Sequence, residues 1–123
     1  MIKPSFSIVA GVINCLLAVV LGAFGAHALK NHLTESTLAI WHTAQEYAFY
    51  HGLALILLGL WQNQINYSGR KTATFFLVGI ILFSGSLYLL ALTNIKQFGF
   101  ITPVGGISLI LGWVFWLLQI FKK

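Results

Sequence analysis

Four long apolar runs fill most of this 123-residue chain, and they constrain its fold more than any other feature. A run of about 20 apolar residues crosses the hydrocarbon core of a bilayer as one α-helix. A helix suits such a run because it satisfies its backbone hydrogen bonds internally, where no water is present. The sequence therefore predicts an all-α integral membrane protein, a four-helix antiparallel bundle with helices at about 6–28, 35–62, 72–92 and 103–121.

The composition supports this class of protein. Hydrophobic residues make up 59% of the chain and charged residues 7%, against roughly 25% charged residues in soluble domains. The length leaves room for a single membrane domain over residues 1–123 and for no separate soluble domain. The net charge of +5 comes from Lys and Arg residues scattered at the ends of the apolar runs, so it predicts no nucleic-acid partner.

Those basic residues predict the orientation of the chain, because four spans place both termini on the same side of the membrane. The basic residues on that side are Lys3, Arg70, Lys71, Lys122 and Lys123. The opposite side carries Lys30 and Lys96. Cytoplasmic loops hold the excess of Lys and Arg, so we expect a multi-pass protein with both termini cytoplasmic.

A signal peptide is the competing interpretation of the first run, since Ala26, His27 and Ala28 imitate an A-x-A cleavage site. The run is long for a signal peptide and carries Asn14 midway, so we expect it to remain as a helix. Cys15 is no lipoprotein acceptor, because such a cysteine needs a small residue before it and Asn14 precedes Cys15. As the only cysteine, it cannot form an intrachain disulfide.

Small residues recur at helical spacing along each run, and this is how helices approach one another closely in a bilayer. They are Gly11, Cys15, Ala18, Gly22 and Gly25 in the first run, Ala44, Ala48, Gly52 and Gly59 in the second, Gly79 and Ser86 in the third, and Gly105, Ser108 and Gly112 in the fourth. Each helix thus has one face suited to tight packing, which predicts a compact bundle.

The second run, Trp41 to Trp61, carries the ionisable residues Glu46 and His51. Such groups are expensive in hydrocarbon, so each marks a candidate site. At about 100° per residue the two lie roughly 140° apart around the helix, which argues against one acid-base pair. At 1.5 Å per residue, Glu46 lies about 7 to 8 Å below Trp41 and His51 about 15 Å below it. We therefore expect Glu46 near the headgroups and His51 near the midplane.

Glu46 shares a helix face with His42 and Tyr50, four residues before and after it. His27, at the outer end of the first helix, lies at a comparable depth. We predict an interfacial patch of these four residues, in which Glu46 is either a snorkelling interfacial carboxylate or a functional one. Two histidines and a carboxylate are ligand types for zinc or copper. Only His42 and Glu46 have a short metal-binding spacing, so we predict no metal site.

His51 lies close in angle to the small residues Ala44 and Ala48, so we expect it to point into the bundle. Polar groups at a similar depth on other helices are Asn14, Ser84, Ser86 and Tyr88. We predict a buried polar cluster of His51 with one or more of these groups. Three roles remain open for it: fixing the helix register, binding a ligand or relaying protons, and ligating a metal or haem.

The sequence contains no arrangement typical of an enzyme. Gly22 and Gly25 precede a helix end, so they form no phosphate-binding loop. No nucleophile stands beside a base, and no pair of inward carboxylates exists. We predict no catalytic residues and no cofactor. The first hypothesis is a structural or interaction module that recruits a membrane protein, a second copy of itself or lipid; the alternative is a carrier or sensor that binds a small molecule or relays protons around His51.

Several sequence blocks resemble the transmembrane protein 256-like family. They are Gly22–Leu29 (GAFGAHAL), the residues Trp41, Ala44, Tyr47 and His51, Ser84–Tyr88 (SGSLY), Ile101–Gly106 (ITPVGG), and the pair Gly112 and Trp113. The resemblance covers all four runs and implies a small four-helix membrane protein, in bacteria at the inner (plasma) membrane. It implies no reaction, because that family has no established catalytic or binding residues. His42 and Glu46 lie outside its pattern, so any role of theirs is particular to this protein.

Overall fold

The computed structural model describes residues 5–66 and 70–122, and most of these residues are helical. Helix α1 (Phe6–His27) begins after Ser5, whose side chain accepts a hydrogen bond from a first-turn amide. Helix α2 (Glu35–Ile65) begins after Thr34 in the same way. It continues three residues past the predicted end at residue 62 and ends where Asn66 supplies a left-handed C-cap at φ 53°.

The third helix, α3 (Lys71–Thr93), contains a turn that the sequence analysis did not predict. Its ends, Lys71–Gly79 and Gly85–Thr93, are α-helical, and Ile80–Ser84 between them is a π-helix. In that turn the Gly85 amide donates to the carbonyl of Ile80, five residues earlier. A π-helical turn in this position is a local widening of the kind often found at functional sites.

A short 3-10 helix (Lys96–Phe100) connects α3 to the last helix, α4 (Thr102–Phe121). Pro103 lies in the first turn of α4, where its missing amide hydrogen costs nothing and its fixed φ suits the helix. Lys3 and Lys123, which the orientation prediction uses, lie outside the described residues.

The helices pack as two hairpins placed side by side. Helix α1 packs along α2, α3 packs along α4, and α2 joins the hairpins by packing on α3. Large apolar side chains remain exposed along α1 and α4, including Leu16 at 61% and Ile110 at 62%. Outward-facing apolar surface of this kind suits contact with lipid tails.

Within the described residues, three helical segments are long and apolar enough to cross a membrane: Phe6–His27, Lys71–Thr93 and Lys96–Phe121. Helix α2 is the longest, at 31 residues, but it is not among them. Its composition explains the difference from the four predicted spans, because polar residues such as His42, Glu46 and His51 interrupt its apolar stretch.

Two glycines allow the closest backbone approaches, one in each hairpin. A Cβ on Gly11 of α1 would lie 2.6 Å from the Gly52 carbonyl oxygen of α2. A Cβ on Gly105 of α4 would lie 2.7 Å from the Cα of Phe83, inside the π-helical turn of α3. Backbone cannot give way as a side chain can, so these positions accept only glycine without the helices moving apart.

We expect Gly105→Ala to destabilise the protein by about 1 to 3 kcal/mol, because the added methyl group overpacks the α3–α4 contact. The measurement is thermal unfolding of the purified protein in detergent. Gly106→Ala is the matched control, since a Cβ there would meet Phe83 at an ordinary distance of 3.7 Å. Equal unfolding temperatures for the two variants would contradict the packing argument.

Candidate functional site

His51 is buried, with 6% of its surface exposed, and both of its ring nitrogens are engaged. Nδ1 lies 2.8 Å from the carbonyl oxygen of Tyr47, one turn earlier in α2. The indole Nε1 of Trp113, in α4, donates to His51 Nε2 at 3.0 Å. An indole N–H only donates, so Nε2 is the acceptor and Nδ1 carries the proton that it donates to Tyr47. The ring therefore has no free nitrogen for a metal or a haem.

Aromatic rings enclose the same histidine. The His51 ring meets Phe76 edge-on at a centroid distance of 5.5 Å and Trp113 at 5.9 Å. Phe76 and Trp113 contact each other at 5.0 Å. We call these three residues the aromatic junction, because they join α2, α3 and α4. Offset and edge-on ring pairs add roughly 0.5 to 1.5 kcal/mol each beyond buried area, so this contact stabilises the association of the two hairpins.

The five residues of the predicted polar cluster do not meet at one point. Asn14, Ser84 and Tyr88 line one cavity of about 240 Å³ between α1, α2 and α3. Ser86 lies elsewhere: its hydroxyl donates to the Phe83 carbonyl at 2.9 Å and pairs with the Thr102 hydroxyl at 2.6 Å. His51 belongs to the aromatic junction instead.

The residues are separated because their side chains point in different directions around their helices. The prediction grouped them by depth alone. Ser84 and Ser86 are two residues apart and point to nearly opposite sides of α3. Ser84 and Tyr88 are four residues apart and share a face, which is the signal that could have identified the cavity. Trp113 is a partner that the sequence analysis missed, although it stands next to the packing residue Gly112.

The polar groups of the cavity-lining residues differ in whether they have hydrogen-bond partners. The Asn14 Nδ2 group donates to the Ala48 carbonyl at 2.5 Å, which ties α1 to α2. The hydroxyl groups of Ser84 and Tyr88 are buried and have no hydrogen-bond partner among the described residues. Leaving a buried hydroxyl unpaired costs about 1 to 3 kcal/mol. Buried atoms of Thr72, Trp116 and Gln119 are also unpaired among the described residues, but those residues do not line the cavity.

Trp41, from which the depths of Glu46 and His51 were counted, is buried among the helices. It is 2% exposed, and its Nε1 donates to the Leu21 carbonyl of α1 at 2.9 Å. Its ring packs edge-on against Tyr88 of α3 at 4.6 Å. Trp41 therefore connects three helices at the outer end of the cavity.

The interfacial residues His42, Glu46 and Tyr50 are exposed along one face of α2. None of the three forms a hydrogen bond or ion pair within residues 5–66 and 70–122, although Tyr50 contacts the Tyr47 ring. His27 ends α1 and is also exposed. In the same ranges no three His, Cys, Asp or Glu side chains are grouped as metal ligands.

We expect His51→Phe to lower the stability by about 1 to 2 kcal/mol, because Trp113 loses its acceptor while an aromatic ring, slightly larger than imidazole, stays in place. The loss of stability caused by Trp113→Phe should be smaller in the His51→Phe variant than in the wild type. Unfolding of the wild type, the two single variants and the double variant in detergent measures this coupling. Trp116→Phe is the control for indole loss, since its Nε1 has no partner among the described residues. Strictly additive losses would contradict the hydrogen bond.

Comparison with known proteins identifies relatives over nearly the whole chain. The family described as "Protein of unknown function (DUF423)" matches residues 21–106. A UPF0382 membrane protein of Staphylococcus aureus (strain bovine RF122 / ET3-1) is 42% identical over 115 residues, which cover 94% of each chain. UPF0382 membrane protein YwdK of Bacillus subtilis (strain 168) is 44% identical over 109 residues, covering 87% of this chain and 89% of that protein.

No solved structure matches the chain. The relatives confirm the expectation of a membrane protein from an uncharacterised family, at that level of description. The chain therefore belongs to the DUF423 family of UPF0382 membrane proteins, whose molecular function is unknown.

Proposed function

We propose that this protein is a structural or interaction module of the bacterial inner membrane, not an enzyme, and that a second copy of the chain packs on the outer face of α2. All four helices would cross the bilayer with both termini cytoplasmic. The finer resemblance to the transmembrane protein 256-like family belongs to the same proposal, since its blocks Gly22–Leu29 and Ile101–Gly106 lie within the matched residues 21–106.

The position of α2 supports its crossing of the bilayer despite its polar residues. It packs between α1 and α3, two helices apolar enough to span, and its buried residues run from Trp41 to Gln62. At 1.5 Å per residue its 31 residues extend about 46 Å, more than the roughly 30 Å of the hydrocarbon core. A helix enclosed by spanning neighbours must cover the same depth as they do.

The single observation that carries the proposal is the outward-facing stripe along α2. We call this stripe the α2 outer face; its members, all exposed, are His42, Glu46, Tyr50, Leu53, Leu57 and Leu60. Their spacing of four, four, three, four and three residues keeps them on one side of the helix, like the seam of a coiled coil. The first half of the stripe is polar and the second half is leucine.

Charge on this face favours a protein neighbour over lipid. Glu46 lies one to two turns inside the run that begins at Trp41, where an exposed carboxylate is costly in hydrocarbon. A second copy related by a two-fold axis along the membrane normal would place Glu46 of one copy within one helical turn of His42 of the other. The same axis brings the two Glu46 carboxylates near each other, and the two His42 side chains would provide hydrogen bonds that offset their repulsion. The leucines would pack below them.

The surroundings of the reactive side chains support a binding role over a catalytic one. Both nitrogens of His51 are used in packing contacts. The Cys15 thiol donates to the Phe49 carbonyl at 3.8 Å, inside the α1–α2 contact. Neither group stands free beside a partner that would activate it.

The test is cysteine crosslinking in native membranes, on a Cys15→Ser background. A cysteine at Leu53 or Leu57 should give crosslinked dimers, because both positions lie on the α2 outer face. Cysteines at Ile107 and Ile110 of α4 are matched controls, since these residues are equally exposed, at 58% and 62%. We expect Glu46→Ala to reduce the α2 crosslinks several-fold.

Equal crosslinking from α2 and α4 would overturn the proposed interface. Crosslinks from α2 to a different protein would overturn the second copy as its occupant.

A further inference from the structure

The cavity between α1 and α3 has the form of a site that opens sideways into the bilayer. Its volume is about 240 Å³, and it lies against the middle of α1 and α3. Two residues of its lining, Leu17 of α1 and Ile81 of α3, are 53% and 67% exposed. The cavity therefore connects the interior of the protein with the surface that faces lipid tails.

Unpaired hydroxyl groups make this cavity unlike an ordinary packing defect. Ser84 is 1% exposed, and its Oγ has no partner among the described residues. The hydroxyl of Tyr88, one turn further along α3, is also unpaired. Asn14 uses its Nδ2 on the Ala48 carbonyl, and its Oδ1 accepts no hydrogen bond within the described part of the chain. These three residues thus line a largely apolar cavity. The Ser84 and Tyr88 oxygens are themselves fully buried in its wall, so a guest must displace neighbouring side chains to reach them.

The π-helical turn of α3 forms one wall of the cavity and carries Ser84. Three residues of the turn, Ile80, Ile81 and Ser84, line the cavity, and Gly85 follows them on the same wall. A Cβ built on Gly85 would meet nothing within 4 Å. The chain therefore keeps open space here, beside a widened helical turn of the kind that often marks a functional site.

The lining also specifies the chemistry of a guest. Its side chains include no Lys, Arg, Asp or Glu, so the polar end of a ligand must be uncharged. Serine and tyrosine hydroxyls both donate and accept, and the Asn14 Oδ1 accepts. The volume is below the roughly 300 to 1,000 Å³ of pockets that enclose a whole small molecule. Only the end of a longer molecule fits, with its remainder in the bilayer.

We propose that the α1–α3 cavity binds the uncharged hydroxyl-bearing end of a lipid-like molecule, which enters laterally between Leu17 and Ile81. The hydroxyl group pairs with Ser84 and Tyr88, and the adjoining hydrocarbon lies against the apolar wall. The inference rests on the proposed function in one respect, because both assume that the protein acts by binding another molecule. Its site is separate from the α2 outer face, so the two can fail independently.

The test uses the purified full chain in phosphatidylcholine vesicles and two photoreactive probes. One probe is a long-chain fatty alcohol with a diazirine near its hydroxyl group, and the other is the alkane of equal length without the hydroxyl. We expect the alcohol to label the peptides around Leu17 and Ile81 at least about fivefold more than the alkane, because only the alcohol can pair with the cavity hydroxyls.

Two variants test the assignment within the cavity. Gly85→Leu should remove most of the alcohol labelling while the protein stays folded, because its side chain projects into open space. Ser84→Ala combined with Tyr88→Phe should bring alcohol labelling down to the alkane level, since it removes only unpaired hydroxyls. Gly106→Leu, on α4, is the control that should label like the wild type.

Equal labelling by the two probes would overturn the proposed pairing with the hydroxyl group. Unchanged labelling of Gly85→Leu would overturn the cavity as the site. If removing the two hydroxyls lowered the unfolding temperature markedly in probe-free vesicles, the hydroxyls would have structural partners and the inference would also fail. None of these outcomes depends on crosslinking at the α2 outer face, so they leave the proposed function to its own test.

Discussion

Close backbone contact within each helical hairpin is the constraint on which the rest of this structure depends. Lipid tails are as apolar as leucine, so helices in a bilayer associate through tight packing and hydrogen bonds more than through hydrophobic burial. Glycine supplies that contact at Gly11 in the α1–α2 hairpin and at Gly105 in the α3–α4 hairpin. Because both hairpins are tightly packed internally, α2 and α3 can meet through larger side chains, and the space between α1 and α3 is left unfilled.

The polar groups in the interior differ in whether they have hydrogen-bond partners, and this difference explains which of them are candidates for function. His51 has a partner on each ring nitrogen and aromatic rings around it. These contacts join three helices. Ser84 and Tyr88 are buried without partners in the described structure. Their residues line the open cavity, so a ligand that displaces the neighbouring side chains would find these two hydroxyl groups unpaired.

Sequence reasoning succeeded where a one-dimensional pattern is enough. The helical class and the membrane location follow from apolar length, and the relatives confirm an uncharacterised family of membrane proteins. It was less successful for the candidate site, because it ranked residues by depth and did not resolve their angle. Ser84 and Ser86 have the same depth, yet one lines the cavity and the other bonds to Thr102. The π-helical turn could not be predicted, since it shifts the faces of α3 without an evident signal in its apolar residues.

By itself, the sequence determined that this is a helical membrane protein whose second apolar run carries Glu46 and His51, because solvation by lipid requires apolar length and permits few charges. Only the tertiary structure decided what those groups contact. The placement of Trp113 gave His51 its partner, and the packing of α3 left the hydroxyl groups of Ser84 and Tyr88 without one among the described residues. Both outcomes depend on how the helices are rotated against one another, and that rotation is set by contacts between residues far apart in the chain.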